Sequence, residues 1–411
     1  MLKVIKKTVA ADRSHLVGLL GKLVAIPTIS EPGVNYLEFV KVLEKECKRN
    51  GLKTKIIKVT GKKYINSLKE ECRKYPRYIL MAYRNAGAKK TLHFNGHYDV
   101  VPASLGFSKD PFKLNIKGDK IMARGAADMK SGIVAMLGAV RALDKLKIKP
   151  AWNLEFSFVP DEEIGGYTGS GYICHKKIAC GDVVIEGDGG GGNYLTVAHR
   201  GIVGFRVTVI GKAIHAALHT KGVNAFLKAV KLVNELEKFR KILEKRKSKY
   251  FAKVPISRVA TMMIGGLAGG GLKSNSVPDK FMFTIDRRVI AEESMKKAKK
   301  EIIDLINKVV KEDGTFKVKI EASEATHSSI EEDAPICKLL GGILKEYYGE
   351  KPIMLMTGGR LDSAYFSQVL KKPTVAYGVS GAKYHADDEY TTGKDIIAAT
   401  TIYAELMTKS Y

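Results

Sequence analysis

The sequence predicts an α/β fold, a mostly parallel sheet with helices on both faces, interrupted by an inserted ferredoxin-like α+β domain. Three observations carry this. Apolar segments of strand length alternate with helical ones along the first half of the chain, the spacing of a parallel sheet crossed by helices. After His199 the order becomes strand, helix, strand, strand, helix, strand, a compact module in its own right. From about Ala334 the first texture resumes, and 411 residues exceed what one hydrophobic core usually supports. The expected divisions are 1–199, 200–324 and 325–411.

Taken in order, apolar residues at helical spacing predict helices over 16–25 and 36–50, the second stopped by Gly51. Residues 53–59 alternate as a strand. A short strand over 91–94 runs into Asn95-Gly96-His97-Tyr98-Asp99, and 113–123 reads as a hairpin turning at Gly118-Asp119. A strongly apolar helix is expected over 131–145. Buried strands follow over 153–159, ending at Pro160-Asp161-Glu162-Glu163, and over 182–185, ending at Glu186-Gly187-Asp188. In the insert, strands are expected over 201–210, 258–264, 281–288 and 316–321, with helices over 224–243 and 294–311.

With 45% hydrophobic and 27% charged residues, the composition is that of a globular protein with ample core material. No stretch approaches the roughly 20 apolar residues of a bilayer span, and the lysine-interrupted first twelve residues lack a signal-peptide core. Five scattered cysteines fit reduced thiols, so the expected compartment is the cytoplasm, with no membrane partner. A net charge of +26 raises the question of nucleic acid. The lysines spread over the whole chain without a stripe of interleaved aromatics, so they read as a solvated surface and no nucleic-acid partner is expected. Lysine excess with a single glutamine, Gln368, points to a thermophilic source.

The residues of chemical interest fall at strand ends, where open α/β sheets place their ligands. His97, Asp128, Glu162, Glu163, Asp188 and His385 each follow a strand or open a loop. Imidazoles and carboxylates together suit zinc, and a bridged pair needs one shared carboxylate plus two terminal ligands per ion. His97, Asp128, Glu163, Asp188 and His385 supply that set, leaving Glu162 as a base. Residues two apart in an extended segment face the same way, so Asp99 is placed to orient the His97 ring. Singly, each has an ordinary reading: a hydrogen-bonded histidine, a helix N-cap at Asp128, a solvated turn at Glu162-Glu163. Two glycine runs are decoys. Gly187 to Gly192 fits a dinucleotide fingerprint but is followed by a β-rich stretch, and Gly266 to Ser274 lacks the lysine of a phosphate loop.

Asn95-Gly96-His97-Tyr98-Asp99-Val100-Val101-Pro102, Arg124-Gly125-Ala126-Ala127-Asp128-Met129-Lys130-Ser131-Gly132 and Pro160-Asp161-Glu162-Glu163-Ile164-Gly165-Gly166 resemble three signatures of one family. It is the zinc family of acetylornithine deacetylase, succinyl-diaminopimelate desuccinylase, aminoacylase and bacterial glutamate carboxypeptidase, and the resemblance runs over nearly the whole chain. It implies a zinc-peptidase-like fold with the insert as a lid and dimerisation domain. It also implies two zinc ions per subunit, for which cobalt can substitute. His97 and Asp188 would be terminal ligands of one ion, Glu163 and His385 of the other, and Asp128 the bridge. Glu162 becomes the general base and Asp99 the supporting carboxylate. Gly211-Lys212-Ala213-Ile214-His215 looks like the family's lid motif, in which the histidine reaches across a homodimer to the oxyanion. Asn275, Arg288, Gly359 and Arg360 fall at substrate-side positions. Two departures, Ala216-Ala217 with His219 after the lid histidine and Arg360-Leu361 before Asp362, alter the substrate pocket and not the chemistry.

The implied activity is hydrolysis of the amide bond of an N-acyl amino acid, a step of amino-acid biosynthesis. The same machinery on a short peptide would make a carboxypeptidase or dipeptidase. A non-catalytic basic binding protein and a metal-binding structural dimer are the rivals from other classes, and an intact Glu162 argues against the latter.

Overall fold

A computed structural model describes residues 1–411. The chain divides into two compact units. The first comprises Met1–Val197, Ser329–Leu355 and Leu361–Tyr411, and the second Ala198–Ser328 with Met356–Arg360.

The first unit is built on a nine-stranded sheet whose path begins Lys53–Lys58, Tyr78–Arg84, Asn153–Val159, Thr91–His97, Val183–Glu186, Thr374–Ala376, Tyr194–His199. Its centre is parallel: Thr91–His97 runs alongside both Asn153–Val159 and Val183–Glu186, and the latter alongside Thr374–Ala376. Antiparallel pairs flank this core. Asn153–Val159 is buried on both faces, its Leu154, Phe156 and Phe158 alternating with Glu155 and Ser157, which both bond His93. Successive side chains leave on opposite faces. His93 packs against Phe366 of the helix Ser363–Gln368, and Phe94 packs edge-on to Tyr403 of the C-terminal helix Gly393–Thr408. Helices therefore cover both faces. The helix Lys130–Leu146 is buried along most of its length between sheet and helices.

The second unit is a four-stranded antiparallel sheet in the order Thr261–Gly270, Lys280–Val289, Gly201–Ile210, Lys317–Ala325. With helices Ala225–Leu243 and Met295–Asp313, this is the ferredoxin-like arrangement. Along Gly201–Ile210 every second residue is buried, so Val203, Phe205, Val207 and Val209 meet Leu232, Leu236, Ile302 and Ile306 of the helices. Arg287, fully buried, pairs with Glu293 at 2.9 Å and Glu301 at 2.8 Å.

Several elements depart from the sequence reading, among them the short helices Lys62–Ile65 and Ser170–His175, which it left unassigned. Residues 2–11 form a helix, with Leu2, Ile5 and Val9 buried at helical spacing. Tyr78–Arg84 is a strand that the reading left unassigned. The strand expected over 258–264 starts at Thr261, because Arg258 closes the 3-10 turn Pro255–Arg258, and it continues through a bulge to Gly270. No helix is long and apolar enough to cross a membrane.

Candidate metal centre

Because the three central strands are parallel and adjacent, their C-terminal ends share one edge of the sheet. In register, His97 lies opposite Val159 and Asn95 opposite Glu186. The residues that follow, Glu162 and Glu163 on one loop and Asp188 on another, are thereby delivered next to His97. The chain approaches closely here. A Cβ on Gly187 would lie 3.1 Å from the Asn95 carbonyl and 2.2 Å from the Met136 methyl, so a larger residue would force both to shift. His385 arrives from a loop held by a separate small sheet, in which Gly381–Ala382 pairs with Tyr390–Thr392 and that strand with Lys120–Met122.

Two donor groups result, His97 with Asp128 and Asp188, and Asp128 with Glu163 and His385. Within each, the candidate ligand atoms lie within 4.8 Å of one another. Asp128 belongs to both. One of its carboxylate oxygens is 3.0 Å from His97 Nε2 and the other 3.2 Å from His385 Nε2, while His385 Nε2 is 3.0 Å from Glu163. His97 Nδ1 donates to the Asp99 carbonyl oxygen at 3.0 Å, which turns Nε2 toward Asp128 and the centre. Asp128 is not a helix cap, since Met129 holds that position. Glu163 is not a solvated turn residue either, its side chain being 5% exposed.

The electrostatics follow from burying three carboxylates against two imidazoles. Burial would raise Asp128, but its hydrogen bonds to His385 and His97 prevail and hold it well below the usual carboxylate range. Asp188, largely desolvated and close to Asp128, is pushed up to about 7. Glu163 is raised chiefly by burial. Hydrogen bonds to Asp128 and Glu163 lift His385 to about 10. Glu163 Oε1 is buried without a hydrogen-bond partner, an arrangement that costs about 1–3 kcal/mol unless something satisfies it. A nitrogen and oxygen donor set with an orphaned carboxylate oxygen fits divalent cations.

Glu162 belongs to neither donor group. It shares the 3-10 turn Glu162–Ile164 with Glu163, and Asp99 accepts the backbone N–H of both at 3.1 Å. The Asp99 carboxylate stands 3.5 Å from His97 Nδ1, so its closer engagement is with this turn, and the His97 ring is oriented by the Asp99 carbonyl. Sequence reasoning missed what holds the turn from behind. Asp161 is buried and accepts from Arg77 Nε at 2.8 Å, from the Tyr36 hydroxyl at 2.9 Å and from Thr168. Arg77 and Tyr36 lie 84 and 125 residues from Asp161 in sequence, and no local pattern announces the contacts.

The remaining candidates lie in the second unit. His215 is exposed and accepts from the Ala217 N–H at 3.2 Å, starting a short 3-10 segment. Asn275 is its neighbour, its carbonyl accepting from Ala216 N–H at 2.9 Å. Arg288 forms a two-pronged pair with Asp286 at 2.7 and 3.3 Å. Gly359 and Arg360 belong to the short segment Met356–Arg360, anchored by Met356 N–H on the Phe251 carbonyl and by Arg200, which donates to the Gly358 carbonyl at 3.3 Å. Arg200 was not singled out from the sequence. Of the decoys, Gly187 to Gly192 leads into the strand Tyr194–His199 and not a helix, and Gly266 to Gly270 lie within a strand.

Residues 93–409 match the model of peptidase family M20/M25/M40. The chain is 25% identical over 400 residues to succinyl-diaminopimelate desuccinylase of Nautilia profundicola, covering 96% of this chain and 99% of that one. It is likewise 25% identical over 344 residues to an uncharacterised metallohydrolase of Methanococcus maripaludis, covering 78% and 81%. Among solved structures, aminopeptidase PepT of Bacillus cereus superposes with a TM-score of 0.75 at 20% identity, covering 96% and 98%. The chain belongs to peptidase family M20/M25/M40. It is a metal-dependent hydrolase acting on amide bonds, and its fold is that of the family's known structures.

A cation that takes up His385 as ligand must displace the proton that Asp128 and Glu163 hold on it up to about pH 10. Below about pH 7 it must also displace the proton on Asp188. Cation affinity is therefore expected to rise with pH. Calorimetric titration with zinc at pH 8, in two buffers of different ionisation enthalpy, is expected to register net proton release, and more of it at pH 6. Identical apparent enthalpies in both buffers would mean that no protonated ligand is engaged.

Proposed function

We propose that this chain is a two-zinc amidohydrolase that removes the acyl group from an N-acyl amino acid. The observation that carries the reading is the sharing of Asp128, whose two oxygens face His97 and His385 at 3.0 and 3.2 Å. His97 and Asp188 would complete one zinc site and Glu163 and His385 the other, with cobalt able to substitute. Ions held there supply Lewis-acid polarisation of a carbonyl and acidify water. Glu162 takes a proton from the attacking water and delivers it to the leaving amine, while Asp99 keeps the turn that carries it in place. Arg288, Asn275 or Arg360 takes the substrate's α-carboxylate, for which a planar guanidinium is suited, with Gly359 also on the substrate side. His215 donates to the oxyanion from the neighbouring subunit of a homodimer, the second unit serving as lid and dimerisation domain. The scattered, unpaired cysteines support a cytoplasmic setting, and the lysine-rich composition a thermophilic one.

The desuccinylase name of the Nautilia relative supports an acyl amino acid as substrate. The second reading, a carboxypeptidase or dipeptidase, draws support from the likeness to an aminopeptidase. Release of free amine from succinyl-, acetyl- and peptidyl-amino acids separates them. The acyl compounds are expected to be turned over fastest, with activity abolished by chelation and restored by zinc or cobalt. Fastest turnover of dipeptides would transfer the assignment to the second reading.

Glu162→Gln is expected to keep both metals while kcat falls by about 10²–10⁴, the usual cost of a lost general base. Elemental analysis showing a missing metal would make Glu162 a ligand and reverse its assignment with Glu163.

His215→Ala is expected to lose about 10²–10³ in kcat, as for a lost oxyanion donor, with metal content unchanged. Mixing inactive Glu162 and His215 variants under subunit exchange should then regain activity, because half the mixed dimers' sites carry both groups. A mixture that stays inactive despite proven exchange refutes action across the dimer.

A further inference from the structure

We infer that Glu389, braced by Arg124, is the positioning residue that holds Asp128 and His385 in one fixed relation. This rests on the reading that those two side chains share a cation site. Glu389 follows His385 by four residues and is fully buried. One of its carboxylate oxygens accepts the backbone N–H groups of Ala127 at 2.8 Å and Asp128 at 2.9 Å. The other accepts the Gly125 N–H at 3.1 Å and Arg124 Nη1 at 2.6 Å. The segment from Arg124 to Asp128 is thus wrapped around a single carboxylate. Glu389 also holds it through its own backbone, its carbonyl accepting the Ala123 N–H at 3.0 Å.

Arg124 closes the ring. Its Nη2 donates to the backbone carbonyl of His385 at 3.2 Å and to that of Pro102 at 3.5 Å, while its guanidinium lies over the Phe107 ring. The path from the Asp128 amide through Glu389 and Arg124 to the His385 carbonyl therefore joins two residues 257 positions apart in sequence. On the outer side Asp388 accepts from Ser108 and Asp387 from Ser104, so the loop carrying His385 is tied to 104–108 as well. Two features separate positioning from plain core filling. Every acceptor oxygen of Glu389 is spent on the segment ending at Asp128, and the fork of Arg124 ends on the residue that carries the other imidazole. Partners of this kind typically affect metal affinity by about 10–100-fold.

The test is zinc affinity of the intact chain, measured by competition with a chromophoric chelator, alongside the melting temperature of the metal-free protein. Glu389→Gln keeps the shape but turns one acceptor into a donor facing N–H groups. It is expected to weaken zinc binding by about 10–100-fold. Arg124→Lys keeps the charge beside Glu389 but loses the fork onto His385. It is expected to weaken one zinc by a similar factor and leave the second within about twofold, a split that loss of fold stability would not produce. Should Glu389→Gln fail to fold, Arg124→Lys decides alone. Both zincs bound as in the unaltered chain, whatever the melting temperature does, overturns the inference. An unaltered chain that takes up no zinc removes the site reading itself, an outcome distinct from unchanged binding in the variants.

Discussion

The arrangement turns on one carboxylate. Asp128 presents its two oxygens to two imidazoles from opposite ends of the sequence, His97 on a central strand and His385 in a loop near the C-terminus. A carboxylate offers about four lone-pair positions on two atoms. It is the smallest side chain that can be shared in this way without bringing two negative groups into contact. The neighbouring acids pay for that closeness: Asp188 and Glu163 both hold their protons more tightly than ordinary carboxyls do. Unlike charges stabilise the cluster and like charges limit it, which is the balance expected where positive charge is to be received.

What makes such a cluster mechanically possible is the parallel centre of the sheet. Three adjacent strands end together, so loops distant in sequence begin side by side. Buried polar groups behind them are linked in a chain: His93 lies between Glu155 and Ser157, Ser157 bonds Asn95, and Asn95 bonds Glu186 at 2.9 Å. This chain crosses the same strands that carry His97 and Asp188 at their ends. A buried polar path of this kind fixes register as well as contributing energy.

Much of the centre was legible because apolar runs stop where chemistry starts. Asn153–Val159 ends and Pro160-Asp161-Glu162-Glu163 begins, and Val183–Glu186 ends two residues before Asp188. What was not legible has physical reasons of two kinds. Tyr78–Arg84 is apolar throughout its buried part, a run too short and too uniform for periodicity to tell strand from helix. The strand Thr261–Gly270 contains four glycines, which local propensity disfavours, and it is held by its ladder to Lys280–Val289. The second kind is distance. Asp161 looks like one more acid in an acidic turn until Arg77 and Tyr36 are seen against it. Glu389 carries no local mark at all. Met356–Arg360 is too short for any periodicity to assign it to the second unit.

The two imidazoles differ sharply in their surroundings. The His97 side chain is 1% exposed and that of His385 53%. Of the two donor groups, the one with His97 is thus the more enclosed at its imidazole and the one with His385 the more open. Ligand exchange needs a path for water as well as for the ion, so an ion held beside His385 would exchange with the medium more readily than one held beside His97. Two donor sets of like composition would then differ in how fast they give up an ion.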